Sequence, residues 1–173
     1  MKKLYLYLIF PMFFSACSPR EPFFDFNAET FFTINLGLSI LETHNFIKSD
    51  IIVPLESSIT NLGVAREDVT EVLPFACRLV PRFGDEISLE FINAVNVYII
   101  DPESLRRREI FYLDFVPLGD RTEIQLLPSL QDINTGLLQN DRAIIEVSVE
   151  LRDFPPSTFD IEVLMNFAGY IAE

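Results

Sequence analysis

Few residues in this chain could do chemistry, and their spacing limits what that chemistry is. The 173 residues contain two cysteines, Cys17 and Cys77, and a single histidine, His44. A Ser-His-Asp triad would need His44 as its base, yet no G-x-S-x-G turn offers it a serine. Cys-His catalysis would need Cys77, which lies in the apolar stretch "LPFACRLV", in period-two phase with Leu73, Phe75 and Leu79. That setting predicts a buried, unreactive thiol. His44 falls in the "ETHN" segment, where a solvent-exposed turn histidine is expected. Zinc prefers clusters of Cys and His, and one of each predicts no metal site. No glycine loop for phosphate and no other cofactor pattern is found.

Carboxylates are plentiful and therefore less informative. Asp85 and Glu86, Asp101 and Glu103, and Asp120 and Glu123 lie in or beside predicted turns, without the spacing of a calcium loop. A glycan hydrolase needs two carboxylates flanking a sugar cleft, and that alternative stays open. The absence of tryptophan weighs mildly against a stacking platform for sugars. The run Arg106-Arg107-Arg108 could grip an anionic partner bidentately. A plainer reading is a strand-edge cluster that pairs with Glu103 and Glu109 or deters edge-to-edge association.

What Cys17 can do depends on the segment before it. A basic head, Met1-Lys2-Lys3, leads into an apolar run from Leu4 to Phe14, broken by Pro11 and followed by Ser15 and Ala16. This is the layout of a secretory signal peptide. The run is too short for a spanning helix, which needs about 20 residues. The ending Phe14-Ser15-Ala16-Cys17 resembles the bacterial lipobox, with Phe14 where leucine is preferred. The resemblance implies cleavage between Ala16 and Cys17, a diacylglyceryl group on the Cys17 thiol, and acylation of the new amino group.

Cleavage there would leave 157 of the 173 residues, enough for one domain with a sizeable core. Loss of Lys2 and Lys3 lowers the basic count from 13 to 11 against 26 acidic residues, a balance of −15. That charge disfavours nucleic acid, whose phosphates need Lys and Arg. Attachment to the bilayer must then come from acyl chains rather than from a basic patch. The expected location is the bacterial cell envelope, at the outer membrane, with the domain outside the cytoplasm. Cys77 would be an unpaired thiol in an oxidising compartment.

Three segments follow: a signal peptide (1–16), a lipidated N-terminus and tether of low order (17–30), and a β-domain (31–173). Phe23, Phe24 and Phe26 could dock the tether onto that domain. Apolar alternation at period two predicts strands. One face carries Phe32, Ile34, Leu36, Leu38 and Ile40, and a second carries Ile47, Ile51, Val53 and Leu55. A short helix fits residues 57–68, then a strand runs from Val69 to Val80. Ile87, Leu89 and Phe91 continue through Val95, Val97 and Ile99 with a kink near Asn93. Phe111, Leu113 and Phe115 mark another strand, Ile124 and Leu126 a short one, and "QDINTGLL" a single helical turn. The clearest alternation comes last, at Ile145–Leu151 and Phe159–Phe167, where "DFPPS" between them suggests a hairpin.

Seven to nine short strands separated by turns predict an all-β, antiparallel two-sheet sandwich, immunoglobulin-like or related, after the N-terminal signal helix, with an open barrel as the alternative. Most of the 17 phenylalanines fall on inward phases and read as core. The stretches "ISLEFINAVNVYI", "REIFYLDFVP" and "LQDINTGLLQNDRAIIEVSVELRDFPPSTFDIEVLMNFAGYI" resemble small β-sandwich lipoproteins common in Bacteroidota. That resemblance covers about residues 85–172 and implies a sandwich, with no activity attached. The expected function is a lipid-anchored, non-enzymatic interaction or structural module with an envelope protein as partner. The alternatives are a carboxylate-based glycan hydrolase and a binder of a small apolar ligand between the sheets.

Overall fold

The computed structural model describes residues 20–83, 87–133, 137–138 and 141–172. The signal segment 1–16, Cys17, Asp85, Glu86 and most of the expected helical turn after Ile133 lie outside the described residues.

The fold is antiparallel β throughout. Among the described residues eight strands are formed: β1 (Phe24–Ile34), β2 (Thr43–Ile52), β3 (Val69–Pro81), β4 (Ile92–Ile100), β5 (Arg107–Leu113), β6 (Ile124–Pro128), β7 (Arg142–Leu151) and β8 (Phe159–Ile171). One helix, α1 (Leu55–Leu62), lies between β2 and β3. The strands hydrogen-bond in the order β1-β8-β3-β6-β5-β4-β7-β2, as one continuous, nearly barrel-shaped sheet. Short β6 makes the sheet turn. Its Leu126 pairs with Cys77 on β3, while the next residue, Leu127, pairs with Tyr112 on β5.

β1 begins earlier than the alternation from Phe32 suggests. Phe24, Phe26, Ala28, Thr30, Phe32 and Ile34 are buried in strict alternation, and the strand pairs with β8 from Phe24↔Gly169 to Ile34↔Phe159. The segment expected as tether up to residue 30 is therefore mostly strand. The inward phase also stops at Ile34, and Leu36 is exposed. Three aromatic rings explain the extension: Phe26 stacks on Phe167 at 5.3 Å between centroids, and Phe24 stacks on Phe26 at 6.1 Å. Burying a phenyl contributes about 1.5–3 kcal/mol, enough to order a short chain segment.

β7 and β8 do not form the expected hairpin. β7 lies between β4 and β2, and β8 lies between β1 and β3. The segment 152–158 instead crosses from one end of the sheet order to the other.

Every strand runs opposite to its sequence neighbours, so the connections collect at two ends. The end at which described chain begins, here called proximal, carries residues 20–23, α1, the turn 101–106 and the described residues between β6 and β7. The distal end carries the loops 35–42, 114–123 and 152–158 and the described residues between β3 and β4. Thirteen-residue β8 spans the distance between them, about 40 Å at ~3.3 Å per residue. Between the ends the interior is filled by Phe32, Phe111 and Phe167 among aliphatic side chains, all fully buried.

Candidate functional site

The residues singled out by type do not converge. Cys77 is buried, and burial pushes its thiol far above the ordinary range, which disfavours the thiolate that a nucleophile or metal ligand needs. Its phase neighbours differ from expectation. A bulge between Pro74 and Ala76 shifts β3 by one residue, so Cys77 and Leu79 face inward while Phe75 is 60 % exposed. His44 is the second residue of β2, half-buried, rather than an exposed turn residue. Its Nε2 lies 2.7 Å from the Ser39 carbonyl oxygen, which can only accept, so Nε2 carries a proton.

Asp101 organises a turn: it accepts from the Glu103 N–H at 2.9 Å and from the Ser104 hydroxyl at 2.5 Å. Those bonds, the Ser104 contact foremost, hold its carboxyl below the usual value. Glu123 pairs with Arg78 at 3.8 Å and accepts from Gln125 at 3.1 Å. Asp120 is exposed.

The arginine run has different partners from those expected. Arg107 pairs with Glu146 at 2.8 Å, across the outer face of β4, rather than with Glu103 or Glu109. Its guanidinium also lies 4.8 Å above the Tyr98 ring. Arg108 donates to the Asp132 carbonyl at 2.6 Å, and Glu109 accepts from Asn96 at 3.0 Å. Burial, then the Glu109 carboxylate, raises the Tyr98 hydroxyl above its ordinary value, with Arg107 opposing. Glu146 is 6 % exposed and needs this partner. The cluster is one ion pair with supporting hydrogen bonds and a ring contact on the outer face of β4, β5 and β7.

The opposite outer face is open. Across β1, β8, β3 and β6 lies a groove of about 1080 Å³. Register places its polar side chains in two rows. Asn27, Asn166 and Ala76 form one, and Glu29, Leu164, Arg78 and Gln125 form the other. Asn166 donates to Asn27 Oδ1 at 2.9 Å and to Asp25 Oδ2 at 3.3 Å. Asp50 and Ile52 of β2 contribute to the far wall. A β2 bulge between Lys48 and Ile51 brings them there, with Asp50 in the left-handed region at φ 66. The same bulge corrects the expected β2 phase. Phe46 packs inward on Phe32 at 4.5 Å, and Ile47 is exposed.

Register places Gln125 three strand spacings, about 14 Å, from Glu29, and Glu123 lies two residues off that row. A hydrolytic carboxylate pair works at about 5–9.5 Å. Among the described residues, no three His, Cys, Asp or Glu side chains are grouped to hold a metal ion.

A smaller surface groove of about 610 Å³ lies at the distal end, lined by Phe91, Leu118, Arg152 and Phe154 among others. Arg152 braces it, donating to the carbonyls of Ile92 at 3.0 Å and Asn93 at 3.4 Å and also to that of Val116. The four distal loops carry Leu36, Leu41, Phe83, Phe115, Leu118 and Phe154, each more than half exposed.

Comparison with family profiles, curated proteins and solved structures finds no match for this chain.

Residue type alone missed Phe75, the Asn27–Asn166 pair and Arg152. One signal was available for the first. Pro74 interrupts an otherwise regular strand, and an interior strand proline marks a bulge because it cannot donate to the ladder. The asparagine pair is invisible in sequence, since its members are 139 residues apart.

Proposed function

We propose that this protein is a lipid-anchored recognition module of the bacterial envelope, fixed at its proximal end and docking a protein partner through its distal loops. Residues 1–16 act as the signal peptide and Cys17 carries the lipid. We read the sheet as two layers that share β6, a sandwich of immunoglobulin-like or related type.

The supporting observation is the position at which the chain joins the domain. Arg20 donates to the Ile171 carbonyl at 2.8 Å and lies 4.9 Å above the Tyr170 ring, at the proximal end. Only Ser18 and Pro19 separate it from Cys17, a reach of about 10 Å for three residue steps. An anchor at Cys17 holds the proximal end close to the bilayer surface and points the distal loops away from it. Those loops carry the apolar tips, and their segments hold Glu42, Glu90, Asp114 and Asp153 together with Arg82, Arg121 and Arg152. Apolar contact area bordered by charges of both signs suits a protein surface. Confinement at a membrane raises the effective concentration of partners, so a modest interface is sufficient.

The test is site-specific photocrosslinking in intact cells. A crosslinker at Leu118 or Phe154 is expected to trap a protein, and one at Phe23 to trap lipid. Cys17→Ser is expected to move the chain from the membrane to the soluble fraction. Lipid adducts at the distal positions, or membrane retention of the serine variant, would overturn the arrangement.

A further inference from the structure

The groove on the outer face of β1, β8, β3 and β6 stands apart from the anchor and from the distal loops. Its volume, about 1080 Å³, is at the upper end of ordinary ligand sites, which run to about 1,000 Å³. Two bulges shape it. The β3 bulge turns Phe75 outward beside Ala76, and the β2 bulge lifts Asp50 and Ile52 into the opposite wall. Bulges re-aim side chains and concentrate at binding sites. A lone exposed phenyl is ordinary on a protein surface. This one shares its groove with a row of amides.

Three of the four charged lining side chains have an ionic partner, which for Asp50 lies outside the lining. Arg78 is committed to Glu123 at 3.8 Å, and Asp50 to Arg142 at 3.1 Å. No unpaired cation is left for phosphate or carboxylate among the described lining residues. What remains free is hydrogen-bonding capacity of both kinds. Asn166 uses its N–H groups on Asn27 and Asp25, leaving its carbonyl oxygen and the Asn27 amide N–H groups without a side-chain partner among the described residues. Glu29 has no partner among them, and a carboxylate accepts from hydroxyls through two oxygens. A ligand that offers many hydroxyls, no charge and an apolar ring face matches this set.

We propose that the groove binds an uncharged oligosaccharide, with Phe75 stacked against one sugar ring and with Asn27, Asn166, Glu29 and Gln125 hydrogen-bonding its hydroxyls. The proposal is of binding alone, since Glu29 and Glu123 lie too far apart to share a glycosidic bond.

The experiment uses the full chain in a detergent without a sugar headgroup. Titration calorimetry measures binding of cellohexaose, xylohexaose, mannohexaose and chitohexaose, with polygalacturonate and heparin as charged comparators. At least one uncharged hexaose is expected to bind. Phe75→Ala and Asn166→Ala are each expected to weaken it by about tenfold or more. Leu130→Ala, at an exposed proximal position outside the groove, is expected to leave affinity unchanged. Amide hydrogen exchange of the unsubstituted protein provides a readout independent of variant folding. Added sugar is expected to protect β3 around Ala76–Arg78 and β8 around Leu164–Asn166. Absence of binding to every uncharged oligomer, binding to charged ones alone, unchanged affinity in both variants, or protection elsewhere would each overturn the proposal. None of these outcomes bears on the distal crosslinks, so the two readings fail separately.

Discussion

The two ends of the sheet solve the same problem with a different balance of charges. Backbone groups that leave a strand lose their ladder partners and must find others. At the distal end a cation does most of this: Arg152 reaches the carbonyls of Ile92, Asn93 and Val116, while Asp153 accepts from the Phe154 N–H at 2.7 Å. Arg121 adds a bond to the Pro117 carbonyl at 2.9 Å. At the proximal end carboxylates do most of it by meeting N–H groups, alongside Arg20 and Arg108 on the carbonyls of Ile171 and Asp132. Asp141 accepts from the Glu56 N–H at 2.6 Å, Asp132 from Val72 at 3.1 Å, and Asp101 from Glu103 at 2.9 Å. The difference teaches that the distal loops are braced although they expose phenylalanine and leucine tips. A rigid apolar surface loses little entropy on docking. The bracing also differs in its response to pH, because guanidinium keeps its charge throughout the accessible range.

The largest expected effect comes from breaking the distal brace. Arg152→Ala takes a donor from the carbonyls of Ile92 and Val116, while Asn93 keeps the Val116 N–H, and removes the cation 4.9 Å above the Phe115 ring. An orphaned polar group costs about 1–3 kcal/mol, and here the site is half-buried, so about 2–3 kcal/mol is expected in total. Chemical denaturation measures it. Hydrogen exchange is expected to accelerate first at the Val116 N–H, which donates to Asn93 at 2.7 Å. Equal acceleration at both ends would show that the brace is not local.

The proximal counterpart is a packing contact. A methyl group at Gly169 would sit 2.1 Å from Phe24 Cζ, on the cross-strand neighbour in β1. The ring must move, giving up part of its burial. Gly169→Ala is expected to cost about 1–2 kcal/mol and to loosen the start of β1, just beyond the anchor segment. A second substitution, Phe24→Leu, is expected to recover part of the loss by making room for the methyl. No recovery would point to backbone rather than ring strain.

Asp141→Ala removes the acceptor for the Glu56 N–H at the start of α1, and its backbone sits at φ 56. A cap lost in this way costs about 1 kcal/mol, with a smaller addition for alanine in the left-handed region. Asp141→Gly relieves the second contribution and keeps the first. Thermal melts that rank glycine below alanine would mean that the left-handed dihedral is not a measurable contribution.

How much of this was legible in the sequence depends on where alternation is interrupted. Regular strands could be read: β3, β7 and β8 lie where apolar periodicity places them, and the kink near Asn93 is a bulge between Ile92 and Ala94. Phase was lost wherever a bulge intervenes. Ile47 was expected inward and Phe75 in line with Cys77, but one extra residue in β2 and one in β3 reverse each face. Pairing was less legible still. "DFPPS" has turn chemistry suited to a hairpin, yet nothing local reveals that β8 is more stable between β1 and β3, where Phe167 meets both Phe26 and Phe111. The same limit applies to Arg107. Its sequence neighbours Glu103 and Glu109 were the expected partners, while Glu146 is 39 residues away and becomes available only through β4 lying between β5 and β7.

The smallest expected effect separates the two ends by pH. Asp101 sits in the exposed proximal turn, and the Ser104 hydroxyl and Glu103 N–H both favour its charged form, lowering its carboxyl from the usual 3.8. A carboxylate with a lowered folded value contributes stability that is whole above the unfolded value. That contribution is lost as pH falls through the folded one. Acidification below pH ~3.8 should therefore release the Glu103 and Ser104 amides while the Arg152 brace at the distal end persists, since arginine stays protonated. Two-dimensional NMR follows both ends in one titration. Asp101→Asn keeps an acceptor but removes the charge, so the step at Glu103 and Ser104 should vanish and the distal amides should be unchanged. If the Val116 amide shifts before that of Glu103, the division into an acid-sensitive proximal end and an acid-insensitive distal end is wrong.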